Sequence, residues 1–320
     1  MKDEYSDPRD KFINLIDTEK CRAIFEPHLV FVCGGRVDPK VTNNHSIRNM
    51  FMNLSAAIGA SNVHDFILAE NFKDWKDGYK SLSDFENDIA QISSFVIVFL
   101  ESEGALAEFG LFFANEQLRK KLVAVLNRQH YDSESFIKFG LLNPLQELNQ
   151  RLVLAYEIDH KNIENVRKDE VEDIVHHISE HCNDTRKSEQ FDLSNRGHAI
   201  FMAFQIIDLL LALTKSEILK YLKLIGISLS PQKLDSALFI LQKFQLVGSR
   251  RRSSQNYYFA LKRRTARIDL HFKKEGLRRF DSSAIKIEVS EFYKEHIEQD
   301  SNFRNRVKVI ESIFSDGDEA

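Results

Sequence analysis

Two rhythms of hydrophobic residues alternate along the first half of the chain. Residues 29–33, 95–100, 122–126 and 153–156 are short, continuous apolar runs, most of them rich in β-branched and aromatic side chains, and 63–68 is a similar run interrupted by His64 and Asp65. Runs of that length and composition predict strands buried on both faces. Between them, apolar residues recur every three or four positions: Ile47, Met50, Phe51, Leu54 and Ile58, then Leu82, Phe85, Ile89 and Ile92, then Leu106, Phe109 and Phe113. That spacing predicts helices over 45–58, 81–93 and 105–118, with helical cover again over 133–148. Ser83, three residues before Glu86, is the expected cap of the second helix. Strand–helix alternation predicts an α/β fold with a doubly wound parallel sheet, here assigned to residues 1–160.

The pattern then changes. Residues 161–195 read as a charged helix and a polar connection, a helical linker. Helices are expected over 201–213, 215–224 with Thr214 as its cap, and 231–244 opened by Pro231. Residues 246–248 and 257–261 then pair as a hairpin around the loop 249–256. Three helices and a β-hairpin make a mainly α, winged helix-turn-helix domain over 196–290. A C-terminal helix and tail fill 291–320.

Charge sharpens this division. The chain of 320 residues carries a net charge of −4, yet residues 248–280 hold eleven Lys and Arg against Asp269 and Glu275. A basic surface on an otherwise acidic protein points to nucleic acid. Arg250, Arg251, Arg252, Arg263 and Arg264 are its candidate phosphate contacts, with Tyr257 placed to stack on a base. Cys21, Cys33 and Cys182 form no CxxC pair, which fits a reducing cytoplasm without disulfides, and no metal site is expected. The polar start 1–5 is unlike a signal peptide. The longest apolar run, 206–213, is far short of the roughly 20 residues that span a bilayer, so no membrane is expected.

Candidate chemistry gathers at the ends of two strands. Gly34 and Gly35 follow the first, where missing side chains let the backbone approach a ligand, with Arg36 beside them to hold a phosphate. Glu101, Ser102 and Gly104 follow the third, and Glu108 sits about a turn into the next helix, with no cation four residues away on either side. Ligands of such sheets bind beyond the carboxyl ends of the strands. Chemistry at a glycosidic carbon needs one carboxylate to attack or stabilise that centre and a second group to manage protons. Glu103 stands between Glu101 and Glu108, and Glu86 and Asp88 on the preceding helix complete the acidic cluster.

The run Gly104-Ala105-Leu106-Ala107-Glu108-Phe109-Gly110, with Asn87-Asp88 before it, resembles the signature of nucleoside 2-deoxyribosyltransferases. That resemblance implies a Rossmann-like catalytic domain in which Glu108 is the nucleophile and Asp88 helps handle the base. The family usually has an aspartate where this chain has Ser102, which implies hydrolysis in place of transfer. Over nearly the whole chain, Phe31-Val32-Cys33-Gly34-Gly35, Glu101-Ser102-x-Gly104, Glu108-x-Gly110, residues 115–122 and Phe136-Ile137-x-Phe139-Gly140 resemble the effector proteins of bacterial retrons. This second resemblance implies an antiphage toxin that cleaves an N-glycosidic bond, with NAD as substrate and no bound cofactor. It also implies inhibition by a reverse transcriptase and its RNA-linked single-stranded DNA. Substrate (NAD, nucleoside or nucleotide), trigger and oligomeric state stay open at this stage. So does the alternative of a non-catalytic nucleotide sensor that binds DNA as a regulator.

Overall fold

The computed structural model describes residues 7–37, 44–59, 64–159, 162–261, 266–274 and 281–315. The chain folds as two compact units: Phe25–Lys187, and Met1–Ile24 together with Ser188–Ala320. The borders differ from those read along the sequence. The α/β unit interrupts the other unit in sequence, and the stretch expected as a linker is divided between the two.

Helix α1 (Pro8–Asn14) and strand β1 (Arg22–Ile24) open the discontinuous unit. The α/β unit then supplies β2 (Leu29–Cys33), α2 (Ile47–Ala57), β3 (Asp65–Leu68), α3 (Leu82–Ile92), β4 (Phe95–Phe99), α4 (Glu103–Ala114), α5 (Glu116–Arg119), β5 (Leu122–Asn127), α6 (Arg128–Asp132), α7 (Asn143–Leu148), β6 (Val153–Tyr156) and α8 (Lys168–Asp184). Its five strands are all parallel, in the order β3-β2-β4-β5-β6. Every residue of β2 and β4 is buried, as strands covered on both faces must be. Because the chain runs from β2 outward to β3 and then returns to β4, the strand order reverses between β2 and β4. Their carboxyl ends flank the crevice where such sheets take ligands. Helix starts are fixed by serine caps: Ser46 accepts from Asn49 N–H, Ser81 from Asp84 N–H and Ser102 from Ala105 N–H. The cap of α3 is therefore Ser81, two residues before the expected Ser83. Helix α8 packs against α2, so residues 168–184 belong to the α/β unit.

In the second unit β7 (Ser188–Gln190) pairs antiparallel with β1, and β10 (Ile268–Asp269) pairs with β1 on its other edge. Between them lie α9 (Arg196–Leu209), α10 (Lys215–Leu224), α11 (Pro231–Lys243) and the hairpin β8 (Val247–Arg252) and β9 (Gln255–Ala260). This is the winged-helix arrangement. Helices α12 (Ser282–Glu295) and α13 (Ser301–Ser315) close the chain. Thr214 and Glu217 form a reciprocal capping box on α10. Among the described residues no helix is long and apolar enough to cross a membrane.

Candidate active site and nucleic-acid interface

The crevice between β2 and β4 is closed from within by Glu101. Gly35 N–H donates to its Oε1 at 2.9 Å, Arg48 N–H to Oε1 at 3.2 Å and Ile47 N–H to Oε2 at 2.7 Å. The N-terminus of α2 and the glycine loop would attract an anion, and an internal carboxylate already occupies that place. Glu101 is thus held by the protein's own backbone, while it also lines the cavity beyond β4 and β5 described below. Burial pushes its carboxyl up, against the N–H donors and Arg48 that draw it down. The glycines serve the same join. Gly34 sits at φ +144°, and a Cβ there would lie 2.7 Å from Phe99 Cβ. A Cβ on Gly35 would lie 2.8 Å from Glu101 Oε1. Their close approach is to protein. Arg36 is exposed, and its carbonyl accepts from Ser46 Oγ at 2.8 Å. Ser102 caps α4, and Gly104 is exposed with only Ser102 Oγ, 3.9 Å away, in range of an added Cβ.

Glu108 lies on the face of α4 that turns toward β2. Phe112, one turn further along, packs edge-on against Phe31 with ring centroids 6.1 Å apart. Glu108 is half-buried, and no hydrogen bond or ion pair reaches it among the described residues. Burial pushes its carboxyl above the ordinary range, Arg48 draws it down and Glu70 pushes it further up. Arg48 was not legible as a site residue. Its guanidinium is fully buried, ion-paired through Nη2 to Glu70 and donating from Nη1 to the Val32 carbonyl at 3.2 Å. An arginine inside an amphipathic helix carries no local signal of burial. Glu70 follows the carboxyl end of β3, where such sheets carry residues that face a ligand.

The carboxylates of α3 stand differently. Asp88 is buried and accepts from Tyr79 Oη at 2.8 Å. Glu86 is buried, its Oε1 lacks a partner among the described residues, and burial alone raises its carboxyl. A cavity of about 560 Å³ opens beyond β4 and β5, lined among others by Ser102, Glu103, Leu106, His130, Ser135 and Ile137. Glu108 is not among its lining residues. Beside Ile137, Phe136 is 96% exposed.

In the winged helix, Arg250, Arg251 and Arg252 belong to strand β8 and not to a loop, because the hairpin turns on Ser253 and Ser254 alone. Tyr257 is 0% exposed, so it is not placed to stack on a base. Its ring lies with Val309 and Ala212 in a small apolar cluster. Arg251 is exposed, while Arg250 and Arg252 are partly buried. Arg263 and Arg264 lie outside the described residues.

The model of the STM3845 retron effector protein family matches residues 44–249. The chain is 33% identical over 127 residues to the Escherichia coli protein named Retron Ec86 putative ribosyltransferase/DNA-binding protein. It is 30% identical over 126 residues to the Ec73 protein of the same description and organism. These stretches cover 39% and 38% of the chain, and the chain spans 39% of the length of each curated relative it matches.

Proposed function

Because the chain belongs to the STM3845 retron effector protein family, we propose that its α/β unit is an N-glycosidase with Glu108 as nucleophile. In this reading it is the toxin of a retron, kept inactive by a reverse transcriptase and its RNA-linked single-stranded DNA. NAD is the proposed substrate. The observation that carries the reading is Glu108 itself: a half-buried carboxylate without a partner among the described residues, at the carboxyl end of β2, beside a buried arginine. A structural glutamate would be paired; a nucleophile has to be free.

The chemistry follows. The ionised Glu108 attacks C1′ and forms a C1′–O bond as the C1′–N bond breaks, the electron pair leaving with the base. Nicotinamide departs from NAD without a proton, because its ring nitrogen starts out cationic. A neutral nucleobase needs one, and Asp88 is the proposed donor. Water then attacks C1′ and frees both sugar and Glu108. Ser102 Oγ accepts Ala105 N–H, which supports its reading as a cap and not an acid. In the second unit, the proposed partner is the retron nucleic acid, met by the wing through Arg251.

The test is base release. Purified protein is incubated with NAD and with deoxynucleosides, and free nicotinamide or free base is separated by chromatography. Glu108→Gln should lower the rate at least roughly 1,000-fold while leaving the fold intact. An active Glu108→Gln protein would remove the reading. One observation favours the nucleotide-sensing regulator: the cavity beyond β4 and β5 does not include Glu108. That reading predicts nucleotide binding without any base release.

A further inference from the structure

Helix α4 has two sides, and only one carries Glu108. Leu106 and Glu108 are two residues apart, about 200° around the helix axis, so they face opposite ways. Leu106, with Glu103 one turn before it, lines the cavity of about 560 Å³ beyond β4 and β5. Leu100 just after β4, Leu126 in β5 and Ile137 supply further apolar walls, and His130 and Ser135 line it as well. The chain around Ser135 is unusual. Ser135 and Ile137 both line the cavity, yet Phe136 between them is 96% exposed. Lys138–Leu142 then forms a π-helix, a wide turn that is frequent at functional sites.

We propose that this cavity is a second ligand site, which takes an uncharged heteroaromatic ring bearing an amine or amide and no phosphate. Its volume is that of small-molecule pockets, which are mostly apolar with a few placed polar groups. Charge decides the class of ligand. Glu101 and Glu103 are both in the lining, and no Lys or Arg is among its described residues. The Glu101 carboxylate is spent on three backbone N–H groups, but its charge still opposes an anion. The start of α4 would attract a phosphate, and Glu103 in its first turn already supplies negative charge there. The exposed Glu103 carboxylate can accept from a ligand N–H. Ser135 Oγ accepts the Lys138 N–H at 3.2 Å and keeps its own proton to donate. The aliphatic walls suit a flat ring, and Phe136 beside them offers a face for stacking.

The site does not depend on the N-glycosidase reading. A ring held there touches the helix that carries Glu108 without touching Glu108 itself. Where the N-glycosidase reading holds, the base set free is a molecule of this same class, and the site is then one for product.

The experiment is ligand-observed NMR titration of the full chain with nicotinamide and with adenine, each compared with its 5′-mononucleotide. Both rings should bind, and each mononucleotide at least roughly tenfold more weakly. Glu108→Gln should bind the rings as the parent protein does, because Glu108 lies on the far side of α4. Leu106→Trp, which fills the cavity, should abolish binding. Glu103→Gln should weaken it about tenfold and Phe136→Ala several-fold. Glu103 and Phe136 are exposed, so these two variants decide the matter if Leu106→Trp does not fold. No ring binding, mononucleotides that bind as well as the rings, or ring binding lost in Glu108→Gln but kept in the other variants would each overturn the proposal. Base release by the parent protein is read separately. Rings that bind as expected to a protein releasing no base leave this site standing and overturn the N-glycosidase reading, and base release without ring binding does the reverse.

Discussion

Three backbone N–H groups converge on the carboxylate of Glu101, and they come from two segments, the loop after β2 and the start of α2, that are also joined by the Ser46 Oγ bond to the Arg36 carbonyl. Removing that carboxylate leaves three buried donors without a partner, each costing about 1–3 kcal/mol if water does not replace it. Glu101→Ala should therefore lower unfolding stability by roughly 2–4 kcal/mol, read as a shift in the urea midpoint at constant slope. A midpoint unchanged from the parent protein would show that the crevice does not need this clamp. The same residue shows what is legible at this scale. A glutamate after a buried strand is visible in the sequence as a site residue, but whether it faces a ligand or its own backbone depends on Gly35 and Ile47, far away along the chain. Glu108 is visible because it stands in a recognisable run of residues. Arg48 is not, because its partner Glu70 is 22 positions away and nothing near it in sequence marks it as buried.

At the scale of elements, strands and helices of the sheet follow from the hydrophobic rhythm, since burial on both faces leaves a continuous apolar run. The hairpin escapes that logic. Residues 249–256 are polar throughout, so they read as a loop, yet the ladder continues to Arg252 opposite Gln255. The consequence is alternation. Arg250 is opposite Tyr257 and shares its face, which α13 covers: Arg306 lies 5.6 Å from the Tyr257 ring. Arg251 is opposite Asn256 on the other face and is exposed. Of the arginines described in the wing, Arg251 is thus the one with open access to a phosphate. Arg251→Ala should weaken nucleic-acid binding and reduce the slope of log affinity against log salt by about one, while Tyr257→Phe leaves both unchanged. Equal binding by Arg251→Ala and the parent protein across a salt series would exclude this face.

Across the whole molecule, the division of the chain is the feature least visible in its sequence. A linear reading looks for contiguous domains, whereas the winged-helix unit also uses residues 1–24. The strands that stitch it together, β1, β7 and β10, are only two or three residues long and carry no hydrophobic period. What holds both ends of the chain to this unit is a buried charge cluster. Arg9 from α1 and Arg306 from α13 donate to the same oxygen of Glu217, at 2.7 and 2.6 Å, and Thr214 N–H donates to the other at 2.9 Å. Arg306 also donates to the Ala212 carbonyl. Although burial opposes ionisation, the two arginines hold the Glu217 carboxyl down at about 2, from an ordinary value of 4.5. A depressed carboxyl stabilises the fold fully above its unfolded value and loses that contribution as pH falls toward its folded one. The pH window is therefore 4.5 down to 2, and the contribution is on the order of 3 kcal/mol. Glu217→Gln removes the charge that Arg306 is paired to, while Arg9 keeps Asp7 at 2.7 Å, for an expected loss of about 3 kcal/mol at pH 7. It should also flatten the acid dependence, because the group that titrates is gone. Urea unfolding of both proteins at pH 7, 4.5 and 3 reads the two effects separately. A Gln variant as stable as the parent at pH 7, and equally sensitive to acid, would mean that the chain ends are held by packing on the rings of Tyr221, Tyr293 and Phe303, which lie 5.8, 5.4 and 5.6 Å from the Arg9 guanidinium, and that the charges merely accompany it.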